Sequence, residues 1–219
     1  MPKKISLADP KKQSRRVVKQ LAIDYPVAEC ALNYDTPYQL LIATILSAQC
    51  TDVRVNIVTK ELFAQYPTAD DIAALPVAKI EKLVQTTGFF RNKAKNIKAA
   101  SQKLVDQYDG EVPPDLDALV ALPGVGRKTA NVVLGTAFGM PTGVVVDTHV
   151  GRLSRRLGLT AQTDAVKVEQ DLMAILPQKE WIQFSHRMIH HGRAICDARK
   201  PKCGECRFAK FCPQIGVAE

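Results

Sequence analysis

Apolar positions recur at three- and four-residue spacing along almost the whole chain, the pattern of helices that each bury one face. Thr36-Pro37 reads as an N-cap followed by proline in the first turn, and Leu40, Leu41, Thr44 and Ile45 follow on one side. Thr51-Asp52 opens the next helix, with Val55, Val58, Leu62 and Phe63 inward, and Tyr66-Pro67 closes it. Pro76 starts a helix that carries Ile80, Leu83 and Val84 and ends at Gly88. Ala94, Ile97, Leu104, Val105 and Tyr108 mark a long helix from Arg91 that stops at Gly110. The spacing predicts a short helix over 115–121 and further helices over 127–138, 148–157, 165–176 and 179–195. Only residues 143–146 hold a strand-like valine run, and it is too short to build a sheet. With no alternation of strand and helix, the predicted class is all-α.

Composition adds scale and sign. A chain of 219 residues that is 46% apolar can bury one large core or two smaller ones. Its net charge of +8 favours a polyanionic partner, although basic proteins without one are also common. Six of those eight charges fall in the first 20 residues, where Lys3, Lys4, Lys11, Lys12, Arg15, Arg16 and Lys19 face only Asp9. That stretch reads as a basic arm, as the start of a basic helix on DNA, or as a solvating tail. No apolar run follows it as in a secretory leader, and none elsewhere reaches membrane-span length. The expected setting is the cytoplasm, at nucleoid DNA, with no membrane attachment.

The six cysteines fall into two groups. Cys30 and Cys50 are isolated and read as buried thiols. Cys196, Cys203, Cys206 and Cys212 follow one another with gaps of six, two and five residues. Without a secretory leader such a cluster reads as a metal site rather than as disulfides. Four thiolates suit a tetrahedral zinc or a [4Fe–4S] cluster. A zinc ribbon more often has two Cys-x2-Cys pairs, and here there is one close pair between longer gaps.

Two further segments carry candidate chemistry. In Leu119–Ala130 a short helix runs into a tight turn and a second helix begins. Gly124 and Gly126 permit positive φ or close backbone approach, and Val125 between them can enter the core. The first N–H groups of the second helix then make an anion site suited to a DNA phosphate, unless the segment is a plain helix corner. Lys128 stands second or third in that helix. The partial positive charge there favours the free amine that a Schiff-base nucleophile needs, while a solvated lysine touching phosphate is the competing reading. Asp147, after the valine run, reads either as the cap of the next helix or as a half-buried acid. Such an acid can take a proton or stabilise positive charge on a sugar.

Leu122-Pro123-Gly124-Val125-Gly126-Arg127-Lys128, Val146-Asp147-Thr148-His149 and the four cysteines, in this order, resemble the endonuclease III family of helix-hairpin-helix DNA glycosylases. The likeness spans about residues 15–213. It implies a bifunctional glycosylase of base excision repair that acts on duplex DNA carrying a damaged pyrimidine or an abasic site. Such an enzyme removes oxidised pyrimidines through a lysine imine and nicks the strand 3′ to the abasic site by β-elimination. The resemblance makes Lys128 the nucleophile, Asp147 the catalytic aspartate, and Cys196, Cys203, Cys206 and Cys212 the ligands of a chiefly structural [4Fe–4S] cluster.

It also implies that Gln49 and Phe89 fill the space left by the extruded nucleotide, with His149 lining the lesion pocket. Leucine is commoner than phenylalanine at the second position, and a core aromatic beside Phe90 is the other reading of Phe89. Asp52 reads mainly as a cap. Gly124 and Gly126 would lie on the phosphates, and Arg199, Lys200 and Lys202 would offer charge to the DNA backbone, extended by Arg193, Arg207 and Lys210. His186, His190 and His191 read as surface or core residues, and Trp181 as packing. The run 142–146 is one residue longer than the family pattern, which shifts the approach to Asp147.

The implied architecture is two helical domains. Residues 30–140 would form a six-helix barrel-like bundle with the helix-hairpin-helix, and residues 1–29 with 141–219 the iron–sulfur cluster domain. DNA would lie across the groove, with Lys128 and Asp147 facing each other and a monomer at work. The rival functions are a monofunctional adenine glycosylase, which lacks the nucleophilic lysine, and a non-catalytic DNA-binding module.

Overall fold

The computed structural model describes residues 9–217, so Lys3 and Lys4 of the basic stretch lie outside the described residues. Among these residues the chain is helical without a strand. The helices are α1 (Pro10–Asp24), α2 (Pro37–Leu46), α3 (Asp52–Gln65), α4 (Ala69–Ala74), α5 (Val77–Val84), α6 (Phe90–Tyr108), α7 (Leu116–Val120), α8 (Arg127–Phe138), α9 (Thr148–Arg156), α10 (Ala165–Ile175) and α11 (Trp181–Ala194). Short 3₁₀ turns occupy Gln85–Thr87, Gln178–Glu180 and Arg207–Lys210. The chain divides into two compact units, Cys30–Thr142 and the flanking segments on either side of it.

In Cys30–Thr142, α2 is apolar on every side and is buried from Tyr38 to Leu46. A helix of that kind must be surrounded. It packs against α3, α6 and α8. Leu40, Leu41, Ile42, Leu46, Leu62, Ile72, Ile80, Ile97 and Leu104 are fully buried in this core. A polar pair deep within it is satisfied internally, Tyr38 Oη lying 2.7 Å from Ser101 Oγ. Apolar spacing did not announce α4, which has only six residues, but its capping box did stand in the sequence. Thr68 Oγ1 accepts from the Asp71 N–H at 3.3 Å, and Asp71 Oδ2 accepts from the Thr68 N–H at 3.0 Å. Cys30 and Cys50 are half-buried against this core rather than enclosed in it.

The flanking unit is built from α1 and α9 to α11 around Val17, Leu21, Val150, Leu153, Leu172, Phe184, Met188 and Phe208. The described part of the basic stretch is a regular helix. Proline stands in its first turn, Asp9 caps it, and Lys11, Lys12, Arg15, Arg16 and Lys19 are exposed. Two buried polar side chains pin α1 in place. Gln13 Nε2 donates to Leu157 O at 3.1 Å and Phe211 O at 3.0 Å, and Ser14 Oγ donates to Ile175 O at 3.0 Å. The valine run 143–146 forms no ladder; Val144 and Val146 are instead buried as apolar anchors. Trp181 packs at the core edge and donates Nε1–H to Leu176 O at 3.2 Å.

Candidate active site

The hairpin between α7 and α8 is set by its turn. Asp115 Oδ1 caps α7 through the Ala118 N–H at 2.8 Å, and the Leu122 N–H then closes back on Leu119 O at 3.0 Å. Val125 is buried and its N–H reaches Leu122 O at 3.1 Å, so the turn is tied down at its centre. Gly124 sits at φ +78°, and a Cβ there would come within 2.7 Å of Asn96 Cβ. Both facts require glycine. Gly126 differs. Its φ of −92° is open to any residue, and a Cβ there would meet nothing within 4 Å. What glycine supplies at this position is the absence of a side chain at the N-cap of α8, which has no side-chain cap. Arg127 and Lys128 are the first two residues of α8, and both are exposed. The helix start therefore presents backbone N–H groups, dipole and the Lys128 amine on one surface.

The start of α9 is built the opposite way. Asp147 is its N-cap, and Oδ1 accepts from the Val150 N–H at 2.8 Å. The carboxylate is thus half-buried and held in orientation. His149, also half-buried, has Nδ1 3.2 Å from Arg152 Nη2. Burial pushes His149 below the usual histidine range; Asp147 opposes this, and Arg152 and Arg193 reinforce it. Gly192 on α11 makes room for the ring, because a Cβ there would lie 2.7 Å from His149 Nδ1.

After α11 the chain wraps a recess of about 410 Å³ of atom-free space, open on one side and lined by Cys196, Cys203, Cys206 and Cys212 with Leu153, Phe208 and Ile195. All four cysteines line this recess. Among the described residues no three His, Cys, Asp or Glu side chains are disposed to hold a single metal ion. Four thiols lining one recess fit a cluster in which each iron takes one thiolate. Burial pushes the Cys206 thiol up and the Cys212 thiol to about 11, so thiolates here require bound cations.

The loop that starts at Cys196 is hung on α9. Arg156 donates to Asp197 O at 2.6 Å and Ala198 O at 2.8 Å, with Nη1 3.3 Å from Cys196 Sγ. Arg152 Nη2 reaches Cys196 O at 3.0 Å and Gly192 O at 3.2 Å. Asp197 then turns the chain, its Oδ1 accepting from the N–H groups of Arg199 at 2.8 Å and Lys200 at 3.2 Å. Those two bonds hold its carboxyl below the usual range. Arg199, Lys200 and Lys202 all project as exposed side chains. On the far side of the recess, buried His191 links Tyr25 Oη, 3.1 Å from Nδ1, to Cys206 Sγ, 3.5 Å from Nε2.

Gln49 and Phe89 occupy two separate turns of the Cys30–Thr142 unit, and each has left-handed backbone, at φ +53° and +48°. Both side chains are exposed, Phe89 by 65%. The core aromatic is its neighbour Phe90, which packs against the core with Arg91 above its ring. Asp52 is not the cap of α3. Thr51 holds that position, its Oγ1 accepting from the Arg54 N–H at 3.3 Å, and Asp52 adds negative charge to the first turn. Sequence reasoning passed over Arg152 and Arg156, whose four-residue spacing on α9 was the available signal, and also Asp197, Gly192 and Lys93.

Residues 42–178 match the model of the HhH-GPD superfamily of base excision DNA repair proteins, and residues 196–212 match the iron–sulfur binding domain of endonuclease III. Endonuclease III of Synechocystis sp. is 56% identical over 94% of both chains. The chain belongs to the endonuclease III family of HhH-GPD repair proteins. Endonuclease III of Bacillus subtilis is 48% identical over 86% of each chain. The solved structure of a trapped endonuclease III–DNA covalent intermediate superposes with a TM-score of 0.88 at 48% identity, covering 92% of this chain and 95% of that one. Like its family, the protein is a DNA-binding, bifunctional base excision repair glycosylase with AP lyase activity, and its cofactor is a [4Fe–4S] cluster. Among the described residues no helix is long and apolar enough to cross a membrane.

Proposed function

We propose that Lys128 and Asp147 carry out the chemistry, on duplex DNA holding an oxidised pyrimidine or an abasic site. The observation behind this reading is the start of α8, where an exposed lysine follows a glycine N-cap that has no side chain. Amine and phosphate-binding N–H groups thereby share one surface. The damaged nucleotide leaves the stack, and Gln49 and Phe89 fill the vacated space. The Lys128 amine attacks C1′, and the glycosidic bond breaks with its electron pair leaving on the base. In this reading Asp147 is the acid–base group, which takes up a proton and offsets positive charge developing on the sugar. Opening of the C1′–O4′ bond gives the imine. Loss of a C2′ proton then expels the 3′ phosphate with the C3′–O pair, and water releases the lysine.

In the same reading His149 lines the lesion pocket. Backbone at Gly124 and Gly126 holds one phosphate, and Arg199, Lys200 and Lys202 hold others without reading sequence. Cys196, Cys203, Cys206 and Cys212 would hold the cluster, which cross-links that basic loop and takes no part in bond cleavage. The protein acts as a monomer on nucleoid DNA in the cytoplasm. Single-turnover assays of Lys128→Ala on a thymine glycol duplex test this reading. Nicking falls by at least about 10³-fold while duplex affinity stays within about threefold. Nicking at the wild-type rate would remove Lys128 from the mechanism.

A further inference from the structure

Lys93 is an unusual lysine. It is only 5% exposed, and its ammonium lies inside the Cys30–Thr142 unit. Lysine is seldom buried unless its charge is partnered. Here the partners are two backbone carbonyls, Leu46 O at 2.8 Å and Thr87 O at 2.7 Å. Each belongs to the end of a helical segment. Leu46 is the last residue of α2, and Thr87 the last of the 3₁₀ turn that follows α5. The final carbonyls of a helix have no partner within it, and the negative end of its dipole attracts a cation. Other carbonyls at these two ends are served locally. Ser47 Oγ donates to Thr44 O, the Cys50 N–H to Ser47 O, and Thr87 Oγ1 to Val84 O. Leu46 O and Thr87 O are left to one nitrogen.

The two ends that meet on this nitrogen lead directly into the two left-handed turns. Gln49 lies three residues beyond Leu46, and Phe89 two residues beyond Thr87. Gly88, between Thr87 and Phe89, has φ +70° and ψ 153°, a region that essentially only glycine occupies. Lys93 holds this second turn twice, since its own N–H also donates to Phe89 O at 3.1 Å. Left-handed backbone at a side chain such as Gln or Phe costs on the order of 1 kcal/mol per residue, and it persists only where surrounding bonds fix it. Burial pushes the ammonium below the usual lysine range, with Cys50 opposing.

We propose that Lys93 is a positioning residue for base extrusion, its ammonium locking the turn of Gln49 to the turn of Phe89 so that both side chains enter the duplex at fixed spacing. The proposal rests on reading Gln49 and Phe89 as the residues that fill the vacated space. Lys93 touches no reacting atom. Its contribution is needed only where a nucleotide must be forced out of a paired stack, and a misplacement of about 1 Å there is enough to slow a step by about 100-fold.

The test compares paired and unpaired substrates. Lys93→Met and Lys93→Gln are prepared with their cluster loaded, beside Gln49→Ala and Phe89→Ala, and assayed at a temperature where circular dichroism shows each folded. Base release from a thymine glycol duplex is measured against nicking of a single-stranded oligonucleotide with an abasic site, which needs no extrusion. A 2-aminopurine opposite the lesion reports unstacking directly. Lys93→Met is expected to lose about 10- to 100-fold on the duplex and the 2-aminopurine rise, while single-strand nicking stays within about twofold. Lys93→Gln, which keeps a donating nitrogen without the charge, is expected to fall between Lys93→Met and wild type. An equal loss on both substrates would make Lys93 a merely structural residue, and no loss on either would remove it altogether; both overturn the proposal. If Gln49→Ala and Phe89→Ala show no duplex-selective loss while Lys93→Met does, the reading of the two wedges fails and, with it, the role assigned to Lys93.

Discussion

The two helices that begin beside candidate catalytic residues begin in opposite ways. At α8 the N-cap is Gly126, no side chain caps the helix, and Lys128 stands exposed in the first turn. At α9 the N-cap is Asp147, whose carboxylate is bound to the Val150 N–H. A capped start is the more stable arrangement, and a lysine in the first turn opposes the dipole. The start of α8 therefore gives up local stability to keep N–H groups and an amine facing outward. The start of α9 uses the capping bond to fix an acid. In the proposed function the same structural position thus serves two chemical ends, binding an anion in one case and orienting one in the other.

The largest effect expected from disturbing this contrast is at Asp147. Asparagine caps as well as aspartate, and alanine does not. Asp147→Asn should keep the melting temperature, Asp147→Ala should lose about 1 kcal/mol, and both should slow base release by about 10²- to 10⁴-fold. Rate loss confined to the alanine variant would reduce Asp147 to a cap. Next comes Gly126→Asp, which gives α8 the start that α9 has. The backbone accepts the change and nothing crowds the new Cβ. Chemical denaturation should report a gain of about 0.5 kcal/mol, and duplex affinity should fall about tenfold as the new carboxylate displaces phosphate. Unaltered affinity would place the phosphate elsewhere.

Salt dependence then separates the two kinds of anchor. Neutralising Lys200 and Lys202 together should flatten the log–log salt slope of binding by roughly one to two units. An unchanged slope would take that loop off the DNA.

The smallest effect concerns pH. All four histidines lie in the unit that contains α9, and none in Cys30–Thr142. Burial, with His190 beside it, holds His186 below the usual histidine range, against a weaker opposing pull from Glu29. The folded state therefore binds fewer protons than the unfolded one just below the ordinary histidine value, and stability there rises with pH. The contribution is complete above about 6.5 and is lost as pH falls. His186→Gln should flatten that slope in melts between about pH 5 and 7. An identical slope in the variant would assign it to another group.

How much of this was legible follows from the physics of each element. The helices from α2 to α11, apart from α4, carry long apolar stripes or clear stop signals, and their ends fall within a few residues of the predicted ones. The segment α4 is too short for a stripe, and the capping box of Thr68 and Asp71 that marks it was passed over. The valine run 143–146, strand-like but too short to build a sheet, forms no strand, and Val144 and Val146 are buried. β-Branched residues bury well in extended chain without pairing, and pairing is not written in such a short run. Lys128, Asp147 and the four cysteines stood in motifs and could be singled out as candidates. Arg152 and Arg156 were passed over although their four-residue spacing stood in the sequence, and Lys93 could not be read, because its ammonium acts on backbone carbonyls and a carbonyl leaves no mark in the sequence. The partners of Arg156, Asp197 O and Ala198 O, are about forty residues away. Phe89 was ambiguous for a related reason. Which of two adjacent phenylalanines faces the core is decided by the left-handed backbone at the first of them.

The central claim is that repair proceeds through an imine on Lys128, and borohydride trapping tests it most directly. The cluster-loaded protein is incubated with a thymine glycol duplex and, separately, with an abasic-site duplex in the presence of borohydride, and the adducts are digested and mapped. The account predicts a covalent protein–DNA adduct on both substrates, mapped to Lys128 and absent in Lys128→Ala. An adduct mapped to another amine, or one that survives in Lys128→Ala at wild-type yield, would contradict it.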